Sequence, residues 1–175
     1  MDKLNVSQDF LYEYLTGHNV NLNRLNELMG VSNGILMGCF HRNPDRFGNP
    51  LKFSAKNIEK LNAALEELAG MMRASVIAFG SDQTFTNNRG TTYDPGTLPK
   101  VKGLSRLFKM NPFCERVLGW KLAKKENVLC TPSSKVYGNI SSDDVNLINT
   151  ELLAVACVIS SYQVVADEVL NDGAK

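Results

Sequence analysis

The chain has four cysteines and two histidines, and neither type clusters. Cys39, Cys114, Cys130 and Cys157 share no CxxC spacing, which excludes the usual zinc frameworks and a disulfide scaffold; they read as buried thiols of a reducing compartment. His18 and His41 have no carboxylate or cysteine companion at metal-ligand spacing. The one tryptophan, Trp120, stands beside Gly119 and reads as a core or interface anchor. No apolar run approaches the ~18 residues that cross a bilayer. The opening MDKLNVSQDF lacks the apolar centre of a secretion signal. The expectation is a cytoplasmic protein without a membrane partner.

Signatures of catalysis are equally sparse. GSDQTFTNNRG lacks the glycine-lysine pair of a phosphate-binding loop. In TPSSKVY, Ser134 and Lys135 would point to opposite faces of a strand, and nothing supplies an oxyanion hole for Ser133 with Lys135. The residues therefore point to no enzyme, no cofactor, no metal and no small-molecule substrate.

What is present is an uneven charge. The net charge of +1 divides into 8 basic and 8 acidic residues over 1–73, 10 against 4 over 74–140, and 1 against 6 over 141–175. The middle segment, net +6, is the electrostatic candidate for a polyanion. Its lysines interleave with apolar residues in VKGLSRLFK and KLAKK, and Lys121, Lys124 and Lys125 would form a basic tip if the flanking FCERVLGW and ENVLCT are strands. The same stretch also reads as helix, and the spacing does not choose between them.

Hydrophobic spacing and caps predict a mainly α protein. Ser7, Asn21, Ser32 and Ser54 are candidate N-caps for helices whose apolar residues recur every three or four positions, with Gly17 and Gly30 as stops. Residues 1–73 form a four- or five-helix bundle in this reading. Residues 74–111, rich in Gly, Pro, Asn and Thr, form a loop or linker with a possible short strand. Residues 112–175 form a small α+β or α domain. There SSDD at 141–144 is a capping box. Val145, Ile148, Leu152, Val155, Ile159, Tyr162, Ala166 and Val169 then mark a heptad stripe on a long helix of roughly 40 Å at ~1.5 Å per residue. The stripe is expected to bury itself in its own domain and against a second subunit through Val145, Ile148, Leu152, Val155, Ile159 and Tyr162.

The stretch LNELMGVSNGILMGCF reads as two short helices around Gly30, with Leu25, Met29, Leu36 and Cys39 turned toward each other. It resembles the helix-turn-helix of the lambda-repressor/Cro-like family over about residues 7–73, and NIEKLNAALEELA resembles the helix that closes that fold. Asn26 departs from the pattern, standing where the family prefers alanine. The resemblance implies base contacts from Ser32, Asn33 and Met37, with His41 at the helix end. Arg42, Arg46 and the lysines Lys121, Lys124 and Lys125 would lie on phosphates. Gly34 and Gly38, four apart, would make a shallow groove on the second helix. The expected function is a DNA-binding transcriptional regulator that grips double-stranded DNA as a homodimer with little direct base reading. The competing reading is a structural or adaptor protein using the same hairpin and stripe for protein partners.

Overall fold

The computed structural model describes residues 2–32, 34–77, 85–86, 92–93, 103–119, 121–123, 128–130 and 142–172. Mainly α is the right class. The chain runs β1 Leu4–Val6, α1 Gln8–Gly17, α2 Leu22–Met29, α3 Ile35–Phe40 and α4 Ala55–Ala74. After β2 Phe85–Thr86 and β3 Thr92–Tyr93 comes a 3-10 turn at Leu104–Arg106. Then follow α5 Met110–Leu118, β4 Lys121–Ala123, β5 Val128–Cys130, α6 Ser142–Ser161, β6 Tyr162–Val164 and α7 Asp167–Asp172. These elements form two units: residues 1–71 with 155–175, and residues 72–154. Residues 155–175 group with the first unit, not with their neighbours in sequence.

Local caps shape the first unit. Ser7 Oγ accepts from the Phe10 N–H at 3.0 Å, Asn21 Oδ1 from Asn23 at 3.1 Å, and Ser54 Oγ from Asn57 at 3.2 Å. Each satisfies one of the donors that a helix start leaves open. Leu11, Leu15, Val20, Leu25, Leu36, Leu61, Leu65 and Leu68 make its core. β1 and β6 pair in parallel, Leu4 opposite Tyr162 and Val6 opposite Val164, so residues separated by over 150 positions share one ladder. The other side of β6 is held by a side chain. Asn62 of α4 accepts from the Val164 N–H at 2.8 Å and donates to the Val164 carbonyl at 3.0 Å. A carboxamide here does what a neighbouring strand would do, and Val164 itself is buried.

The second unit repeats that device. Asn149 of α6 accepts from the Ile77 N–H at 2.8 Å and donates to the Ile77 carbonyl at 2.7 Å. Leu104, Leu107, Phe108, Phe113, Cys114, Val145, Ile148 and Leu152 are buried there. Phe108 packs on Phe113 with ring centroids 4.5 Å apart. Arg116 pairs with Glu151 at 2.6 Å. The FCERV stretch is helix, not strand, and Gly119 ends it in the left-handed region at φ 67°. β4 and β5 pair antiparallel, Lys121 opposite Cys130. The tip with Lys124 and Lys125, like Trp120, lies outside the described residues.

The heptad stripe needs correction in two respects. First, α6 stops at Ser161, because Tyr162–Val164 is drawn into a ladder with β1; Val169, at the end of the expected stripe, is 52% exposed. Second, Val145, Ile148, Leu152, Val155 and Ile159 are at most 2% exposed and Tyr162 9%, all within a single chain. That stripe is core and leaves no surface through these six residues for a second subunit. α6 from Asp143 to Ser161 has a mean hydropathy of 1.3, enough by length and composition alone to cross a membrane, and 33% of that stretch is buried within the chain.

Replacing Asn62 with alanine leaves both polar groups of Val164 without their partner in a buried place. The expected loss is about 1–3 kcal/mol. It is read as a lower urea midpoint at unchanged slope, with faster hydrogen exchange at the Val164 amide.

Candidate functional site

The α2–α3 hairpin is the feature that sequence singled out, and its construction is unusual. α2 ends at Gly30 in the left-handed region, φ 65°. The chain then reaches α3 through a second left-handed glycine, Gly34 at φ 88°, which is the N-cap and supplies no side chain. Ser32, the expected cap, lies outside the helix and is exposed. Asn26 takes over its role from the other helix. Its Oδ1 accepts from the Leu36 N–H at 3.4 Å and its Nδ2 donates to the Val31 carbonyl at 3.4 Å, from a buried position. That accounts for a polar residue at a close-contact position. Alanine there would leave the start of α3 uncapped.

α3 has six residues, about 9 Å at ~1.5 Å per residue. Leu36, Cys39 and Phe40 face the core. Gly38 is buried as well, and a Cβ on it would meet Leu51 Cδ1 at 3.2 Å. Since Gly34 precedes the helix and Gly38 is covered by this chain's own Leu51, the expected glycine groove does not exist. A different groove runs between the two helices. It has a volume of about 430 Å³ and is lined by Leu22, Asn23, Asn26, Glu27, Gly34 and Met37. Met37 is half-buried along it. Asn33 lies outside the described residues.

The end of α3 is tied down. Arg42 adopts φ 52°. Its N–H donates to the Cys39 carbonyl at 3.2 Å, and the Asn43 N–H donates to the Gly38 carbonyl at 2.9 Å. This is the bond pair of a Schellman ending, with arginine where glycine is usual. The guanidinium Nη2 lies 3.2 Å from Asp9 Oδ2 and 3.2 Å from Asp167 Oδ2. The hydrogen bond that Arg42 donates to Asp9 and, against the opposing effect of burial, the one it donates to Asp167 hold the Arg42 pKa above its ordinary value. Arg42, expected on a phosphate, thus already sits between two carboxylates, linking the starts of α1 and α7 to the end of α3. Gln8 reinforces this end, donating to the Cys39 carbonyl at 2.9 Å. His41 is exposed and rests edge-on against Tyr12, centroids 5.3 Å apart.

Beyond it, residues 43–51 form a tight loop. Asp45 Oδ1 accepts from Phe47 at 2.8 Å and Asn49 at 2.9 Å, and Pro44 bridges to Pro50. The loop lifts Phe47 to 72% exposure, with the Arg46 guanidinium 4.6 Å from its ring centre. Arg46 is therefore an exposed cation on a well-braced loop. Of the basic tip, only the backbone of Lys121, at the start of β4, is described. Among the described residues no three or more His, Cys, Asp or Glu side chains gather as a metal site.

No protein-family model, curated protein or solved structure matches the chain.

Two outcomes follow from this geometry. Arg42→Ala loses both ion pairs and keeps the left-handed strain, whereas Arg42→Gly loses the pairs alone. The glycine variant is expected to be the more stable by about 1 kcal/mol, measured by denaturant melts. Burial pushes the Cys39 thiol above its ordinary pKa, while Cys157 is exposed. Iodoacetamide at pH 8 should modify Cys157 and spare Cys39 and Cys114 until the protein is unfolded, as read by peptide mass.

Proposed function

We propose that the protein binds double-stranded DNA and regulates transcription, with the α2–α3 hairpin working as a repressor-type helix-turn-helix. The observation that carries this reading is the hairpin itself. It has a left-handed glycine turn and a packed inner side of Leu25, Met29, Leu36 and Cys39, while Ser32 and Gly34 are exposed and Met37 is half-exposed. Among its described residues such a face offers one hydroxyl and one thioether to base edges and leaves most discrimination to DNA shape. Arg42 is excluded from the contact set because its charge is offset by Asp9 and Asp167. Arg46 remains for phosphate, with Phe47 beside it as an apolar contact.

Charge divides the work between the units. Residues 1–71 with 155–175 hold 8 basic and 11 acidic residues, net −3, and residues 72–154 hold 11 and 7, net +4. Electrostatic attraction to the duplex therefore comes from the second unit, including Lys121, Lys124 and Lys125, and orientation from the first. The negative first unit is also the specific observation that favours the second reading, an adaptor. In that reading the groove bounded by Asn23, Glu27 and Met37 receives a segment of another protein.

Fluorescence anisotropy on a random duplex separates the two. DNA binding predicts retention at low salt that weakens linearly on a log–log salt plot. Arg46→Ala should lower affinity for all sequences alike and reduce the salt slope by about one. Failure to bind at low salt would leave the adaptor.

A further inference from the structure

α4 and α6 are the same element twice. Each is 20 residues long, and a shift of 87 residues lays Ala55–Ala74 on Ser142–Ser161. Under that shift Leu61, Leu65, Leu68, Ala69 and Met72 fall on Ile148, Leu152, Val155, Ala156 and Ile159, and every one of these residues is buried. Asn62 falls on Asn149. The residues they hold, Ile77 and Val164, are themselves 87 apart, and each lies three positions beyond the end of its helix.

A second pair of elements agrees. α2 begins at Leu22 and α5 at Met110, a shift of 88. Their N-cap residues have nearly the same backbone, φ −75° and ψ 99° at Asn21, φ −74° and ψ 105° at Lys109. Val20 and Phe108, just before these caps, are both buried. So are the fourth and fifth residues of each helix, Leu25 and Asn26 in one, Phe113 and Cys114 in the other. Both helices end on a left-handed glycine, Gly30 at φ 65° and Gly119 at φ 67°. Equal helix lengths alone would mean little. A shared length, burial register, two-bonded asparagine and capping glycine, all in one order, are the mark of a repeat.

The grip between the copies is crossed. Asn62, on the helix of the first half, holds Val164, which follows the helix of the second. Asn149, on the helix of the second half, holds Ile77, which follows the helix of the first. Each unit is thus completed by the other half's tail.

We propose that residues 1–87 and 88–175 are two copies of one fold that have exchanged tails, and that the protein therefore acts as a single chain. Exchange of an identical segment is how two separate subunits interlock. Here the same exchange is made within one molecule, and it replaces the homodimer that the heptad stripe suggested. Among the described residues the two halves differ after these glycines. After Gly30 the chain enters α3, and after Gly119 it enters β4 at Lys121. The shift that superposes the two glycines sets Lys121 on Ser32. This makes Lys121, by register alone, the second half's counterpart of Ser32 and a contact for the same duplex class. That last step rests on the DNA-binding reading above.

The test uses the full chain. Light scattering and native mass spectrometry should give a 19.3 kDa species free and one chain per short duplex when bound. A free species of twice that mass would overturn the single-chain proposal whether or not DNA is bound. Hydrogen exchange should show Asn62→Ala deprotecting the Val164 amide and not that of Ile77, and Asn149→Ala the converse. Should alanine prevent folding, Asn62→Asp and Asn149→Asp keep the acceptor and serve instead, with loss of stability as the readout. Either variant acting on the wrong tail, or on neither, overturns the exchange. For these two positions, Ser32→Glu and Lys121→Glu should each weaken duplex binding several-fold at low salt, as a new negative charge beside phosphates predicts. Wild-type binding that Lys121→Glu leaves unchanged overturns the counterpart contact and spares the DNA reading, whereas no wild-type binding overturns both and leaves the mass and exchange results to decide the duplication.

Discussion

The bond pair from an asparagine side chain to a passing backbone is what the architecture depends on. A segment of three residues cannot hold itself as a strand, and a buried N–H and C=O left unmatched cost more than the segment's few contacts return. Asn62 removes that obstacle on the side of β6 that faces away from β1, and Asn149 removes it at Ile77. Each sits mid-way on a long helix, so the position of the held segment follows from the helix and not from a loop. Leucines and isoleucines supply most of the burial energy in both units, but they set no register. The carboxamides do, because only one residue of each tail can offer both its groups to the same side chain.

A comparable substitution of side chain for backbone governs the hairpin. Asn26 stands in for the missing cap of α3, and Arg42 holds its far end between Asp9 and Asp167. Both groups that fix the short helix therefore belong to long-range contacts, and the helix itself contributes little. Six residues with an internal glycine would not stay helical alone. This makes α3 a rigid element in the folded molecule. Its exposed chemistry is sparse because none of its six residues, Ile35 to Phe40, carries a polar side chain other than the buried thiol of Cys39.

Sequence reading reached the local features and stopped at the long-range ones. Ser7, Asn21 and Ser54 cap where they were expected, since a cap depends on three or four neighbouring residues. Ser32 does not, because Asn26 from another helix displaced it. The stripe from Val145 to Ile159 was legible as a stripe, yet a periodic apolar face looks the same whether it meets its own core or another chain. Tyr162 continued an apolar pattern, and nothing nearby announced that β1, over 150 residues earlier, would take Tyr162–Val164 as a strand. The repeat was missed because Asn62/Asn149, Leu65/Leu152 and Ala69/Ala156 are the only identities between the two helices. Ile58/Val145, Leu61/Ile148, Leu68/Val155 and Met72/Ile159 match in character alone. Comparing hydrophobic patterns at a fixed offset, instead of letters, is the signal that would have revealed it.

The parallel pairing of β1 with β6 bears on how the protein comes into being. A ribosome delivers Leu4–Val6 and the helices after it long before it delivers Tyr162–Asp167. For most of synthesis the first unit emerges with an open strand edge, an unoccupied Asn62 and an Arg42 lacking one of its two carboxylates. Its apolar side waits for Val155 and Ile159 as well. Folding of the nascent chain must therefore be late and concerted, and a stalled or shortened product would carry an exposed, adhesive edge of the kind that chaperones retain.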